Sequence, residues 1–273
     1  PVVVVSALTK QGAAITIDAL QSGAVDFVPK PSSSFGNRLD SMMSELTEKI
    51  LIAAQTDVSK WRESDFKIDK VKQPQKSLQE SSDKVIAIGA STGGTVALTG
   101  IIQKLAPTIP GVVIVQHMPP VFTQMFADKL NDISAVGVKE AADGDRVLTG
   151  RVLIAPGGMH LTVSRSGGRY LVHCKAGETV SGHCPSVDVM MRSVAESVGA
   201  NAVGAILTGM GSDGADGMKQ MRDAGARTIA QDEESCVVFG MPKQAHRNGG
   251  AERLVPLDRI AKTITELSQE IRA

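Results

Sequence analysis

The chain has 273 residues, of which 42% are hydrophobic and 21% charged, the balance of a soluble globular protein with one large or two modest domains. Its 29 basic residues are matched by 29 acidic ones, so the charge does not favour binding to nucleic acid or an anionic membrane. No apolar run approaches the roughly 20 residues that span a bilayer, and no signal peptide is visible. Three cysteines provide no disulfide framework. We therefore expect a cytoplasmic protein without membrane insertion.

The first 54 residues predict a strand–helix–strand–helix unit. Val2–Val5 and Ala24–Val28 are apolar runs of strand length, and residues 11–21 and 35–54 have the apolar spacing of helices. Two parallel strands with two helices leave open sheet edges and a thin core. The sequence therefore predicts part of a domain here.

Residues 55–83 change in composition and divide the chain. They are rich in Gln, Ser, Lys, Asp and Glu, which is typical of an interdomain linker. The pattern predicts a first unit at 1–54, a linker at 55–83 and a second unit at 84–273.

The second unit alternates strands and helices. Buried parallel strands are predicted at 85–88, 112–115, 203–207 and 227–230, and residues 136–173 predict β-hairpins inserted between them. Abundant Gly, Ala and Val with 3% aromatic residues suit closely packed helices on such a sheet. The predicted fold class is α/β, a doubly wound and mainly parallel sheet with an inserted β-hairpin region.

The segment Gly89-Ala-Ser-Thr-Gly-Gly94 follows one of these strands and precedes a helical pattern. A strand that ends in Gly-x-Ser-x-Gly and turns at once into a helix is a nucleophile elbow. The turn lifts the Ser91 hydroxyl to the carboxyl edge of the sheet. It also places backbone N–H groups of the helix start, at Thr92 and Gly93, where an oxyanion would form.

Two further residues follow strands that end at the same edge of the sheet. His117 comes directly after the strand at 112–115, and Asp213 lies in a glycine-rich loop after the strand at 203–207. With Ser91 they form a candidate Ser-His-Asp triad, in a chain order that differs from that of α/β-hydrolases. His160, at a predicted hairpin turn, could line the cleft and is the second candidate for the base.

Two other interpretations compete at these residues. The spacing of Gly89, Ser91 and Gly94 is close to a dinucleotide-binding fingerprint, although Ser91 replaces its middle glycine. The pairs His173-Cys174 and His183-Cys184 could belong to a zinc site, but no C-x-x-C motif accompanies them. We expect neither a nucleotide nor a metal.

Residues 84–273 resemble the catalytic domain of the CheB family, the chemotaxis protein-glutamate methylesterases. The matching segments are Ile88-Gly-Ala-Ser-Thr-Gly-Gly94, Val115-Gln-His-Met-Pro119, Ile154-Ala-Pro-Gly-Gly-Met-His160, Pro185-Ser-Val-Asp188 and Leu207-Thr-Gly-Met-Gly-Ser-Asp-Gly214. The resemblance implies a serine hydrolase with Ser91, His117 and Asp213 as its triad, and an oxyanion site to which the Met210 loop contributes. It implies demethylation of glutamate γ-methyl esters on the cytoplasmic helices of chemoreceptors, deamidation of selected receptor glutamines, and no cofactor. A receptor-binding regulator that keeps the fold without turnover is the alternative.

Residues 1–31 resemble the second half of a response-regulator receiver domain, which has a flavodoxin-like fold. Ser6 matches its hydroxyl position and Lys30 its lysine, and the resemblance implies a cis peptide bond at Lys30–Pro31. The resemblance implies a chemotaxis histidine kinase as a partner of such a domain. The half that carries the phosphoacceptor aspartate and the magnesium-binding acidic pair is not in this sequence. We therefore expect phosphorylation control to be lost.

Overall fold

A computed structural model describes residues 1–31, 37–56 and 83–271. The expected linker at 55–83 lies outside the described residues except at its two ends. Within the described ranges, no helix is long and apolar enough to cross a lipid bilayer.

The N-terminal part has the predicted strand–helix–strand–helix order. Its elements are β1 (Val3–Ser6), α1 (Lys10–Gln21), β2 (Asp26–Pro29) and α2 (Asn37–Gln55). β1 and β2 pair in parallel, with Val3 opposite Asp26. Helix α1 begins after Thr9, whose side chain accepts a hydrogen bond from the Gly12 N–H, the usual way in which a threonine caps a helix.

The rest of the chain is built on a seven-stranded parallel sheet. Its strands are β3 (Val85–Ala90), β4 (Gly111–Gln116), β5 (Gly137–Glu140), β6 (Arg151–Ile154), β9 (Ala202–Ile206), β10 (Arg227–Gln231) and β11 (Arg253–Val255). They lie in the order β11-β10-β9-β3-β4-β6-β5, and every neighbouring pair is parallel. The chain leaves the central strand β3 in one direction to β4 and returns on its other side at β9. A crevice forms at such a switch point, outside the carboxyl ends of the strands.

Helices cover both faces of this sheet. They are α3 (Gly94–Ile102), α4 (Phe122–Ile133), α5 (Val187–Ser197), α6 (Ala215–Asp223), α7 (Met241–Arg247) and α8 (Leu257–Glu270). Because successive strand residues point to opposite faces, Ile86 and Ile88 enter the core with α3, α4 and α8. Val85 and Ala87 enter the opposite core, with α5, α6 and α7. The α/β class and the doubly wound architecture are confirmed, as are the four predicted parallel strands.

The inserted hairpin region is smaller than expected. Only β7 (His160–Ser166) and β8 (Arg169–Lys175) form an antiparallel hairpin. The other two strands in the segment, β5 and β6, extend the main sheet in parallel. The prediction of hairpins over 136–173 was therefore wrong for the first part of the segment, which contains β5 and β6. Short alternating runs do not show which strand each will pair with, because that choice depends on partners distant in sequence.

The N-terminal part packs against the α3–α4 face of the larger sheet. The Phe27 ring stacks on that of Phe122, with centroids 4.5 Å apart and planes 19° from parallel. Buried α1 side chains join the same core, among them Ile17 and Leu20. The thin core expected for two strands and two helices is thus completed by contact with the α/β sheet.

Three expectations for the N-terminal part concern Ser6, Lys30 and Pro31. The Ser6 hydroxyl is buried and donates to the Gly12 carbonyl, whereas the Lys30 side chain is exposed. Their backbones meet, because Lys30 N–H donates to the Ser6 carbonyl. The expected cis bond at Lys30–Pro31 was wrong: among the described residues, the cis bond is Cys184–Pro185. A trans X–Pro bond is the form of lower energy in the absence of a specific constraint.

Candidate active site

Ser91 lies in a tight turn between β3, which ends at Ala90, and α3, which begins at Gly94. Its N–H donates to the Thr208 carbonyl at 3.0 Å. Its carbonyl accepts from the Gly94 N–H at 2.7 Å and from Gln116 Nε2 at 3.0 Å. The backbone of Ser91 is therefore held from three sides, and the predicted strand–turn–helix geometry is present.

Glycines allow this turn to pack closely against its neighbours. A Cβ atom on Gly209 would lie 2.7 Å from Ser91 Cβ and 2.4 Å from Met241 Sδ. Gly93 has a φ of +78°, and a Cβ atom there would lie 2.5 Å from Val237 Cγ2. Gly93 therefore packs against Val237 beneath the turn.

The Gly209 contact leads to a stability prediction. We expect Gly209→Ala to destabilise the protein by about 1–3 kcal/mol, because the added methyl group overlaps buried atoms. Gly100→Ala is the matched control. It lies in α3 with open space at its Cβ position, and we expect it to stabilise by about 0.5–1 kcal/mol. Urea denaturation of the three proteins measures both effects, and equal stability of Gly209→Ala and the wild type would contradict the prediction.

His117 follows β4 and makes a close contact with Asp213. Its Nε2 lies 2.8 Å from Asp213 Oδ2, and its side chain is 8% exposed. Its Nδ1 is buried and has no hydrogen-bond partner in the part of the chain that the structure describes. Since the ionised carboxylate can only accept, Nε2 carries the proton and Nδ1 keeps a free lone pair. In the chymotrypsin triad the carboxylate binds Nδ1–H instead.

Asp213 lies in the loop between β9 and α6 and is 1% exposed. Its carboxylate accepts three further hydrogen bonds from the start of α5: from Ser186 Oγ at 2.7 Å, Val187 N–H at 2.7 Å and Asp188 N–H at 3.1 Å. Burial alone would raise the pKa of Asp213. The hydrogen bond and charge of His117 and the bonds from Ser186 and Val187 instead hold the pKa below its ordinary value. Asp213 is therefore ionised at neutral pH.

Sequence reasoning did not assign a role to the start of α5. Ser186 is the N-cap of this helix, and its side chain accepts from Val189 N–H. A serine before an apolar helical pattern is a recognisable start signal. Its direction toward Asp213 is a property of the tertiary structure, because α5 and the Asp213 loop are brought together by packing of α5 on α6.

His183 is a second residue that sequence reasoning did not place in the site. Its ring stacks on that of His117, with centroids 3.6 Å apart and planes 13° from parallel. Burial lowers the pKa of His183 to about 4, and the neighbouring His117 contributes to that effect. No group of three His, Cys, Asp or Glu side chains within the described ranges is arranged to hold a metal ion.

The low pKa of His183 predicts a dependence of stability on pH. The ordinary pKa is about 6.5 and the folded value about 4, so the folded state binds fewer protons between them. The free energy of unfolding should therefore fall as pH drops from about 6.5 to about 4. Between about pH 7 and 4.5, we expect the free energy of unfolding of the wild type to fall by about 1–2 kcal/mol more than that of His183→Phe. This is less than the full shift in the pKa of His183 would give, because the ring is partly solvated. Urea denaturation at both pH values measures this difference, and equal losses would contradict the assigned state of His183.

His160, the second candidate for the base, has both ring nitrogens engaged. Its Nδ1 accepts from Ser186 N–H at 3.2 Å, and its Nε2 lies 2.8 Å from the Glu178 carbonyl oxygen. The ring does not line the cleft that contains Ser91 and His117. His160 instead connects Glu178 with Ser186, at the two ends of the 178–186 segment.

The cleft at the sheet edge has a volume of about 610 Å³ and is lined by residues from both parts of the chain. Ser91, Thr92, His117 and Met210 line one side, and Met210 is 38% exposed. The opposite side comes from β2 and α2 and includes Asp26, Phe27, Glu45, Glu48 and Lys49. The structure thus brings Ser91, His117 and Asp213 to one rim, with an apolar side chain beside them.

A direct hydrogen bond joins the two sides of this cleft. Thr92 Oγ1, one residue after Ser91, donates to Asp26 Oδ2 at 2.5 Å. Lys49 Nζ lies 3.3 Å from the other oxygen of the same carboxylate. Burial lowers the pKa of Lys49, but the charges of Asp26 and Glu45 outweigh this effect and raise it. Lys49 therefore remains charged in the cleft wall.

The chain is similar in sequence and fold to proteins of one family. Residues 86–264 match the family described as CheB methylesterase. A protein-glutamate methylesterase/protein-glutamine glutaminase of Syntrophotalea carbinolica is 58% identical, with all of this chain and 78% of the relative covered. A protein of the same description from Sulfurimonas denitrificans is 49% identical over 99% of this chain and 78% of the relative. The crystal structure of the Thermotoga maritima CheB methylesterase catalytic domain superposes with a TM-score of 0.66 at 40% identity. That match covers 68% of this chain and 99% of the other.

Proposed function

Since this chain belongs to the CheB methylesterase family, we propose that it hydrolyses glutamate γ-methyl esters on chemoreceptors and deamidates receptor glutamines. The observation that carries this proposal is the 2.8 Å contact between His117 and Asp213 at the rim that also holds Ser91. A buried, ionised carboxylate on an imidazole whose other nitrogen is free is the arrangement that activates a serine.

The first half of the reaction forms an acyl-enzyme. Ser91 Oγ attacks the ester carbonyl carbon as His117 Nδ1 takes the hydroxyl proton. Asp213 keeps Nε2–H in place and stabilises the imidazolium. The tetrahedral intermediate then collapses, the C–OCH₃ bond breaks, and the imidazolium returns the proton to the departing methoxide. Methanol leaves, and the glutamyl group is esterified to Ser91.

The second half repeats the same proton transfers with water. His117 takes a proton from the water that attacks the acyl carbon, and then returns it to Ser91 Oγ as glutamate leaves. Deamidation of a glutamine follows the same steps, with ammonia as the first leaving group. Neither sequence of steps uses a cofactor.

The tetrahedral oxyanion requires hydrogen-bond donors beside Ser91. We assign this role to the backbone N–H groups of Thr92 and Gly93, which precede α3, together with the Met210 loop that lines the same cleft. One such donor contributes about 3 kcal/mol, or 100-fold or more in rate. Gly93 supports the role by letting the turn enter α3 without a side chain.

We assign catalysis to residues 84–273, and the protein substrate to the cytoplasmic helices of methyl-accepting chemoreceptors. That assignment places the protein in the cytoplasm, with a chemotaxis histidine kinase as a further proposed partner.

Methanol release from membranes that contain methyl-labelled chemoreceptors tests this function. We expect the folded chain to release labelled methanol, and chain pretreated with a serine-directed fluorophosphonate to release none. Heat-unfolded chain sets the background. A folded chain that binds these membranes and releases no methanol would overturn the esterase in favour of a non-catalytic regulator.

A further inference from the structure

The segment 180–186 approaches the catalytic pair from above the ring of His117. It begins with a tight turn, in which Val180 and His183 exchange two backbone hydrogen bonds of 3.0 Å each. Ser181 and Gly182 form its tip with φ values of +53° and +81°. The turn holds the backbone of His183, so the position of its ring is restricted.

The ring of His183 lies against the face of the His117 imidazole. A centroid distance of 3.6 Å and an angle of 13° describe two aromatic rings in full face-to-face contact. Three residues further on, the same segment reaches Ser186, whose hydroxyl donates to Asp213. One continuous stretch of chain therefore contacts both members of the His117–Asp213 pair.

The charge state of His183 suits this contact. Two imidazolium rings at 3.6 Å would repel each other, and burial and the charge of His117 both disfavour protonation of His183. Asp213 acts in the opposite direction, and Lys49 across the cleft again disfavours the charge. The ring that faces His117 is consequently neutral at neutral pH. A neutral π face stabilises a cation placed against it.

We propose that His183 is a positioning residue for the serine hydrolase reaction, acting through His117. Its neutral ring fixes the plane of the His117 imidazole, so that Nε2 stays on Asp213 and Nδ1 keeps its lone pair for the serine proton. The same face stabilises the imidazolium that forms when Ser91 loses its proton. This inference rests on the proposed esterase function and adds a residue to its machinery.

Substitutions that differ in ring shape separate positioning from space filling. We expect His183→Leu to lower kcat about tenfold with less than a twofold change in KM, because Leu fills space without a flat face. His183→Phe restores the flat, neutral face and should recover most of the lost kcat. His246→Leu, an exposed histidine on α7, is the matched control and should match the wild type. Equal kcat values for the Leu and Phe variants would overturn the proposal.

A second measurement does not depend on turnover. In ¹⁵N-histidine NMR spectra at neutral pH, we expect the His117 ring to carry its proton on Nε2 in the wild type and in His183→Phe. In His183→Leu we expect a mixture of the two tautomers. A single unchanged tautomer in all three proteins would overturn the positioning role. Absence of methanol release from wild-type protein with the expected tautomer would instead overturn the esterase function, so the two failures are distinguishable.

Discussion

Ser91→Ala is expected to lower methanol release by roughly 10⁵- to 10⁶-fold, to the background of the assay, because loss of the nucleophile removes the acyl-enzyme route. The Cβ atom that packs on Gly209 remains, and so do the backbone hydrogen bonds to Thr208 and Gly94. The fold should therefore be unchanged. Single-turnover release of labelled methanol from receptor membranes measures the effect, with circular dichroism as the check on folding.

A matched Ser→Ala substitution away from the cleft isolates the nucleophile. Ser166 lies at the exposed end of β7, and Ser166→Ala should keep wild-type kcat and KM. A fluorophosphonate should label the wild type and Ser166→Ala at one serine and leave Ser91→Ala unlabelled. Release by Ser91→Ala within tenfold of the wild type would assign the nucleophile to another residue.

Asp213→Asn is expected to lower kcat by about 10⁴-fold with little change in KM. An amide has one acceptor oxygen, whereas the Asp213 carboxylate accepts from Ser186, Val187, Asp188 and His117. If the amide oxygen takes the place of Oδ1 and accepts from Ser186 and Asp188, the NH₂ group takes the place of Oδ2 and faces His117. The imidazole must then accept at Nε2, and its proton moves to Nδ1, where it cannot serve as the base.

The stability of Asp213→Asn should change with pH in a defined direction. The folded pKa of Asp213 lies below its ordinary value, so its contribution is present above that ordinary value and is lost as pH falls through the folded pKa. The variant should be less stable than the wild type at neutral pH, with a smaller difference in acid. Asp216→Asn, an exposed residue on α6, is the control and should change neither kcat nor stability. If kcat decreases by less than tenfold in Asp213→Asn, the carboxylate does not orient His117.

Local patterns predicted much of the fold because a parallel sheet is buried on both faces. Its strands read as continuous apolar runs, so β3, β4, β9 and β10 were found from the sequence close to their observed bounds. The elbow at Ser91 was found for a related reason, because few residues other than glycine can adopt the backbone conformation of such a tight turn between strand and helix. Both signals depend on neighbours within about ten residues.

Local sequence patterns did not predict which distant segments pair with each other. The strands β5 and β6 were expected in hairpins, although each pairs in parallel within the main sheet. Cys184–Pro185 has the cis bond that was expected at Lys30–Pro31. In each case the outcome depends on the packing around the segment, which local sequence does not describe.

Local sequence patterns predict that Ser91, His117 and Asp213 lie at one edge of the sheet, because strand ends in a parallel sheet share an edge and each residue follows such an end. The contacts among these side chains depend on tertiary packing. The start of α5 holds Asp213, the ring of His183 covers His117, and Nε2 rather than Nδ1 faces the carboxylate. These arrangements join residues 25 to 96 positions apart. The packing of helices and loops around the sheet sets them, and no local periodicity of the chain encodes that packing.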